Sequence, residues 1–197
     1  MALELSETQQ ALVEKYRDIN THDEHWYEHV IEEFKNKMFN ECGINIQNVF
    51  FSGFWSQGDG ACFEGNAMFP YFMDNFKPDD YPMIRKLLEH NGTVIFRCEH
   101  RGHYHHENCT NFTYEVEDMY QVIDAPTEFQ EDLVNVFQKQ LDIETVRFNE
   151  EATEFFKDKM REVYRTLEKE YEYQVSDEAV WDTIVANELN NQPIDEE

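Results

Sequence analysis

Two stretches of this 197-residue chain hold the residue types that chemistry uses. The first is FSGFWSQGDGACFEG, Phe51 to Gly65, where Asp59, Cys62 and Glu64 sit among glycines and aromatics. A cysteine here could serve as a nucleophile if an imidazole took its proton, and His103 or His106 are the partners a second hairpin would bring. The second is Cys98-Glu99-His100-Arg101-Gly102-His103-Tyr104-His105-His106-Glu107-Asn108-Cys109. Its two thiols and four imidazoles could supply a tetrahedral zinc site.

Each stretch also has a plainer reading. Gly58 and Gly60 can take positive φ and Asp59 tolerates left-handed backbone, so Ser56–Gly60 suits a hairpin turn. Cys62 is followed by Phe-Glu-Gly-Asn-Ala-Met-Phe-Pro, which is strand-like, whereas a helix N-terminus commonly helps to activate a thiol. Glu64 and the negative field of the whole molecule would raise a thiol pKa. In the second stretch Cys98 and Cys109 bracket the histidines singly, unlike the paired ligands of common zinc modules. On a strand His103 and His105 point one way and His106 the other, while Cys98 continues the inward register of Val94 and Phe96. The expectation is a turn that offers Phe54, Trp55, Gln57, Asp59 and Glu64 to a partner, beside a polar strand–loop segment. No metal or cofactor is expected.

His22, His25 and His29 fall at i, i+3 and i+7, on the flank of a core face made by Trp26, Tyr27, Val30 and Ile31, and are expected to be solvated. No His-Glu-x-x-His, phosphate-cradling glycine loop or dinucleotide fingerprint is present.

The charge sets the partner class. There are 42 acidic against 16 basic residues, a formal net charge of -26. Only the segment from about residue 191, ending in Asp195, Glu196 and Glu197, has the character of an acidic tail; the other carboxylates lie in segments with apolar periodicity. Such a surface repels phosphate backbones and anionic membranes, and attracts a basic protein. No apolar run approaches membrane-spanning length, and Met1–Gln10 is polar, which together with four scattered cysteines predicts a cytoplasmic location.

The positioning elements follow from periodicity. Ser6–Gln9 and Thr21–Glu24 have capping-box spacing. Leu12, Tyr16 and Ile19 form one helical face, and Tyr27, Val30, Ile31, Phe34 and Met38 another that stops at Gly43. Asn48–Trp55, Ala61–Phe69, Thr93–Glu99 and Asn111–Val116 read as strands, with a short helix over Pro82–His90. After Pro126 three helices are expected, with stripes Phe129–Leu133–Val136–Phe137–Leu141 and Ala152–Phe156–Met160–Val163–Leu167–Tyr171, and a third from Ser176. Segregated strands and helices predict a single α+β domain over 1–197: an antiparallel sheet of about four strands between N- and C-terminal helices.

Resemblance adds a class. FSGFWSQGDGACFEG, followed by Arg101-Gly102-His103-Tyr104, Cys109-Thr110, Leu167–Tyr173 and Ser176–Val180, resembles phage and prophage proteins labelled antitoxins of toxin–antitoxin stability systems. More narrowly it is similar to the anti-DarT factors of T4-like phages, which counter a host toxin that ADP-ribosylates DNA. That resemblance implies counter-defence and carries no catalytic residues over. Asp59-Gly60-Ala61-Cys62 separately resembles the Asp-Gly-x-Cys segment of ovarian-tumour-type thiol proteases.

Charge and resemblance together predict a non-enzymatic inhibitor of a basic host protein, a toxin or DNA-acting defence enzyme, with no direct nucleic-acid binding. The carboxylates expected to make that contact are Glu150, Glu151, Glu154, Asp158 and Glu162 on the long C-terminal helix. The alternatives are a hydrolase built on Cys62 and Asp59 with His103 or His106, and a regulatory protein bound to another host factor.

Overall fold

The computed structural model describes residues 5–22, 25–77, 79–117 and 128–191, with the side chains of 128–131 left aside. Its elements in chain order are α1 (Glu7–Lys15), α2 (Glu28–Lys37), β1 (Ile44–Phe51), β2 (Ala61–Ala67), α3 (Tyr71–Asn75), α4 (Pro82–Glu89), β3 (Val94–His100), β4 (Thr110–Val116), α5 (Glu128–Gln174) and α6 (Asp177–Ala186). The strands form one antiparallel sheet in the order β1-β2-β3-β4, so the fold is α+β. The chain divides into two compact units, Phe34–Tyr164 and the paired termini Met1–Glu33 with Arg165–Glu197.

The sheet unit is built on aromatic packing. Residues of α5 at spacings of three and four, Phe148, Ala152, Phe156, Met160 and Val163, are all fully buried. Phe156 meets Phe63 of β2, Phe96 of β3 and Phe112 of β4 at ring-centroid distances of 5.8, 5.0 and 6.3 Å. Phe148 extends the same layer to Phe72, Phe76 and Tyr81. Burying such rings supplies roughly 1.5–3 kcal/mol each, which is what lets α5 hold its place over the sheet. Gly65 is fixed by contact: a Cβ there would lie 2.4 Å from the Asn45 carbonyl oxygen on β1.

The terminal unit is helical. Leu12 and Val13 of α1 meet Val180 and Ile184 of α6, with Tyr16, Ile19 and Trp181 at the margin. Its N-terminal capping box is formed, Ser6 and Gln9 each accepting from the other's backbone N–H. Ser176 caps α6 through the Ala179 N–H. Asn20 ties the strands of chain together, donating to the Gln174 carbonyl and accepting from the Thr183 hydroxyl. The Thr21–Glu24 capping signal falls partly, and the tail beyond 191 wholly, outside the described residues.

Several sequence expectations are corrected. The two stripes after Pro126 belong to one 47-residue helix, because no proline or glycine interrupts Glu128–Gln174. In its first turns Val134 is buried, whereas Leu133 and Val136 are 50% and 58% exposed. Strand β1 starts earlier than Asn48, at Ile44, and stops at Phe51. The helix of Tyr27–Met38 ends in a π-helical turn, Met38–Cys42, closed by Gly43 at φ +66° as the stop signal implied. Among the described residues no helix is long and apolar enough to cross a membrane.

Candidate functional site

The glycine-rich stretch is a nine-residue loop, Ser52–Gly60, rather than a tight turn. Its base closes by the Ser52 N–H donating to the Gly60 carbonyl (3.1 Å) and the Gly60 N–H to the Ser52 hydroxyl (3.4 Å). The Asp59 carboxylate accepts from the backbone N–H of both Trp55 (2.9 Å) and Ser56 (2.6 Å), so it organises its own loop. Gly58 takes φ +118°, as expected, but Gly60 and Asp59 do not adopt positive φ. Gly60 is needed for proximity instead: a Cβ there would sit 2.9 Å from His106 Cδ2 and 3.1 Å from the His105 carbonyl oxygen. The histidine loop lies directly on the glycine loop.

Within this loop the predicted contact residues part ways. Phe54 is half-buried, its ring 5.6 Å from that of Tyr164, whose hydroxyl donates to the Gly53 carbonyl. Trp55 is 77% exposed and Gln57 is exposed. Glu64 lies on β2, accepting from Asn48 on β1, and lines an open concavity of about 430 Å³ with Gln47, Asn66, Arg97 and Glu99.

The histidine loop is anchored by Glu107, the one buried charged residue among those described. Its carboxylate accepts from Arg161 Nε of α5 (3.1 Å) and lies 2.8 Å from His106 Nδ1. Arg161 also binds Glu154 (2.9 Å) and Asp158 (2.5 Å), which hold its guanidinium charged well beyond the neutral range. The expected acidic stripe on α5 is therefore an ion-pair lattice. Glu151 accepts from Lys77 and the buried Tyr81 hydroxyl, which together hold its carboxyl below the ordinary range. Glu162 lies between Lys37 (2.7 Å) and Lys159 (2.8 Å); burial pushes its carboxyl up, and those two ammonium groups bring it below the ordinary value. Glu144 of the same helix caps α4, accepting from the Met83 and Ile84 N–H groups. Of the five predicted carboxylates only Glu150 is exposed without an ion pair among the described residues.

The sulfur and imidazole groups are also redistributed. Cys98 is buried, in its expected inward register, and its thiol lies 3.3 Å from the Phe63 carbonyl oxygen. His103 is exposed with its ring against Tyr104, and His106 is engaged by Glu107. It is His100 and His105 that join Cys62: the three ligand atoms lie within 4.8 Å of one another. Burial pushes the Cys62 thiol up to about 12, so at neutral pH it is a protonated, shielded group and not a ready nucleophile. Cys62 was visible in the sequence, but its partners were not, since a loop conformation decides which imidazoles arrive. The helical histidines stay apart from this group: His25 pairs with Glu28 (2.9 Å) and His29 lies 3.8 Å from Glu170.

Sheet, covering helix and histidine loop define an α+β protein. The chain belongs to a family described as a domain of unknown function, DUF8835, whose model matches residues 26–177. No curated protein and no solved structure matches the chain.

Proposed function

We propose that this chain is a phage counter-defence protein that acts by binding: an acidic inhibitor that takes the place of DNA on a basic surface of a host toxin or other DNA-acting enzyme. The resemblance described above makes a DNA ADP-ribosyltransferase toxin the first partner to try, in the cytoplasm of an infected bacterium. The observation that carries the reading is where net negative charge accumulates. The terminal unit holds 19 acidic and 4 basic residues, net −15 in 66 residues, against net −11 in the 131 residues of the sheet unit.

That excess has a local signature. Glu28 and Glu32 on α2, Glu168 and Glu172 on α5, and Glu178 and Asp182 on α6 are like-charge pairs at i,i+4. Each such pair costs a few tenths of a kcal/mol in an isolated helix. Glu32, Glu33, Glu172, Glu178 and Asp182 are exposed and have no ion pair among the described residues. A cationic cleft would offset this repulsion and release counterions, which makes association salt-sensitive. Tyr173 and Val185, 57% and 46% exposed in the same unit, offer the apolar contact that charge alone cannot replace.

The test is competition. A purified DNA ADP-ribosyltransferase toxin is titrated with duplex or single-stranded DNA and with this protein. Mutually exclusive binding and loss of DNA modification are expected without any change in toxin mass. Simultaneous binding of DNA and protein, or removal of ADP-ribose from already modified DNA, would contradict the proposal.

A further inference from the structure

Three donors from two separate parts of the chain meet beside one aromatic ring. Cys62 is on β2, His100 ends β3, and His105 lies in the loop that follows. The ring of Phe50 stacks on both imidazoles, at centroid distances of 4.8 Å to His100 and 5.7 Å to His105, and the two imidazoles are 5.0 Å apart. Cys62 is completely buried. His105 Nδ1 is buried with no hydrogen-bond partner, an exposed cost that native interiors rarely carry. His100 Nε2 lies 3.3 Å from the Tyr104 carbonyl oxygen. An N–H there donates to that carbonyl and leaves Nδ1 with its lone pair, the outer-shell arrangement that metal-ligating histidines use.

We propose that Cys62, His100 and His105 form a zinc site that fastens the histidine loop to the glycine-rich loop. A thiolate and two neutral imidazoles are the donor set that Zn²⁺ takes, whereas Mg²⁺ and Ca²⁺ require oxygen ligands. Around a tetrahedral zinc the ligand atoms stand roughly 3.3–3.8 Å apart, so binding draws the three inward by about an ångström. Rotation of two imidazoles near or on a loop accommodates that. On binding, the S–H bond breaks and a Zn–S bond forms; one proton leaves to solvent, and the metal's charge is reduced to +1 in a molecule that is otherwise strongly negative. Burial, and then the neighbouring His100 and His103, shift His105 toward its neutral form, which is its ligand form. These three side chains fill three of the four positions of a tetrahedral zinc. The role is a clamp: the loop bearing Trp55 is held from one side by Tyr164 and from the other by a metal-pinned histidine loop.

The experiment is a Co²⁺ titration of the reduced full-length chain, followed by displacement with Zn²⁺. One equivalent of Co²⁺ should produce thiolate-to-cobalt charge-transfer absorption and release one proton, and Zn²⁺ should abolish the band. Cys62→Ser should remove the band, and Cys98→Ser should keep it. Because Cys62 is in the core, His105→Gln on the loop is the second variant, expected to weaken Co²⁺ at least tenfold with unchanged circular dichroism. Absence of a band at one equivalent, a band that survives Cys62→Ser, or unaltered affinity in His105→Gln would overturn the site.

Discussion

The sheet unit and the terminal unit treat carboxylates in opposite ways. In the sheet unit, most of the acids singled out on α5 meet cations or backbone N–H groups: Glu144 caps α4, Glu151 meets Lys77, Glu154 and Asp158 meet Arg161, and Glu162 meets two lysines, while Glu150 is exposed. Past Tyr164 the same helix and α6 carry Glu168, Glu172, Glu178 and Asp182, in a unit with only four basic residues, Lys15, Arg17, Arg165 and Lys169. Acidity in the sheet unit is mostly paired; in the terminal unit Arg17 holds Glu14 and Asp177, and the other exposed acids outnumber the cations. Net charge by itself does not separate the two uses; the positions of sixteen cations do.

The largest expected effect lies in the aromatic layer. Phe156→Ala should cost about 3–5 kcal/mol by urea unfolding, because its ring touches three strands. An effect under about 1 kcal/mol would mean that α5 is not the keystone of the sheet unit. Next comes the anchor of the histidine loop. Glu107→Ala should cost about 1.5–3 kcal/mol, since Arg161 keeps two other carboxylates while His106 loses its partner. A loss no larger than that of an exposed glutamate would break the picture of a docked loop.

Gly60→Ala should cost about 1–3 kcal/mol, since the new methyl meets the His105 carbonyl and the His106 ring. Smaller still, and opposite in sign between the units, are charge deletions. Glu151→Gln should destabilise by roughly 0.5–1 kcal/mol, whereas Glu178→Gln should be neutral or stabilise by a few tenths. The first difference depends on pH. The Glu151 carboxyl titrates lower folded than unfolded, so its contribution is present above the ordinary value near 4.5 and is lost as pH falls through the lower folded value. Wild-type and Glu151→Gln unfolding curves should therefore converge in acid; a gap that persists in strong acid would show that the carboxylate is not the source.

Much of the fold was legible because local signals and burial agreed. The Ser6–Gln9 box, Pro82 at the head of α4, Gly43 as a stop and the alternation of Val94, Phe96 and Cys98 each name their element directly. The continuity of α5 was obscured because Leu133 and Val136 look like a stripe of their own, when Val134 and Leu141 are the residues that face inward. At the candidate site, composition pointed to the right stretches and to the wrong pairs. Asp59 turned out to bind its own loop, and Gly60 to admit a neighbour. His100 and His105 are the imidazoles grouped with Cys62; His100 closes β3, and His105 arrives by the path of the nine-residue loop Arg101–Cys109, which has no periodicity from which to read side-chain direction.

The most direct measurement is the salt dependence of binding to a DNA ADP-ribosyltransferase toxin, by calorimetry, for the wild type and for two charge reversals. Glu32→Lys with Glu178→Lys should weaken binding by tenfold or more and flatten the slope of log Kd against log salt. Glu154→Lys with Asp158→Lys should lower stability and leave the slope as it was. Binding that ignores salt, or a slope that responds only to the α5 reversal, would contradict the assignment of the binding charge to the terminal unit.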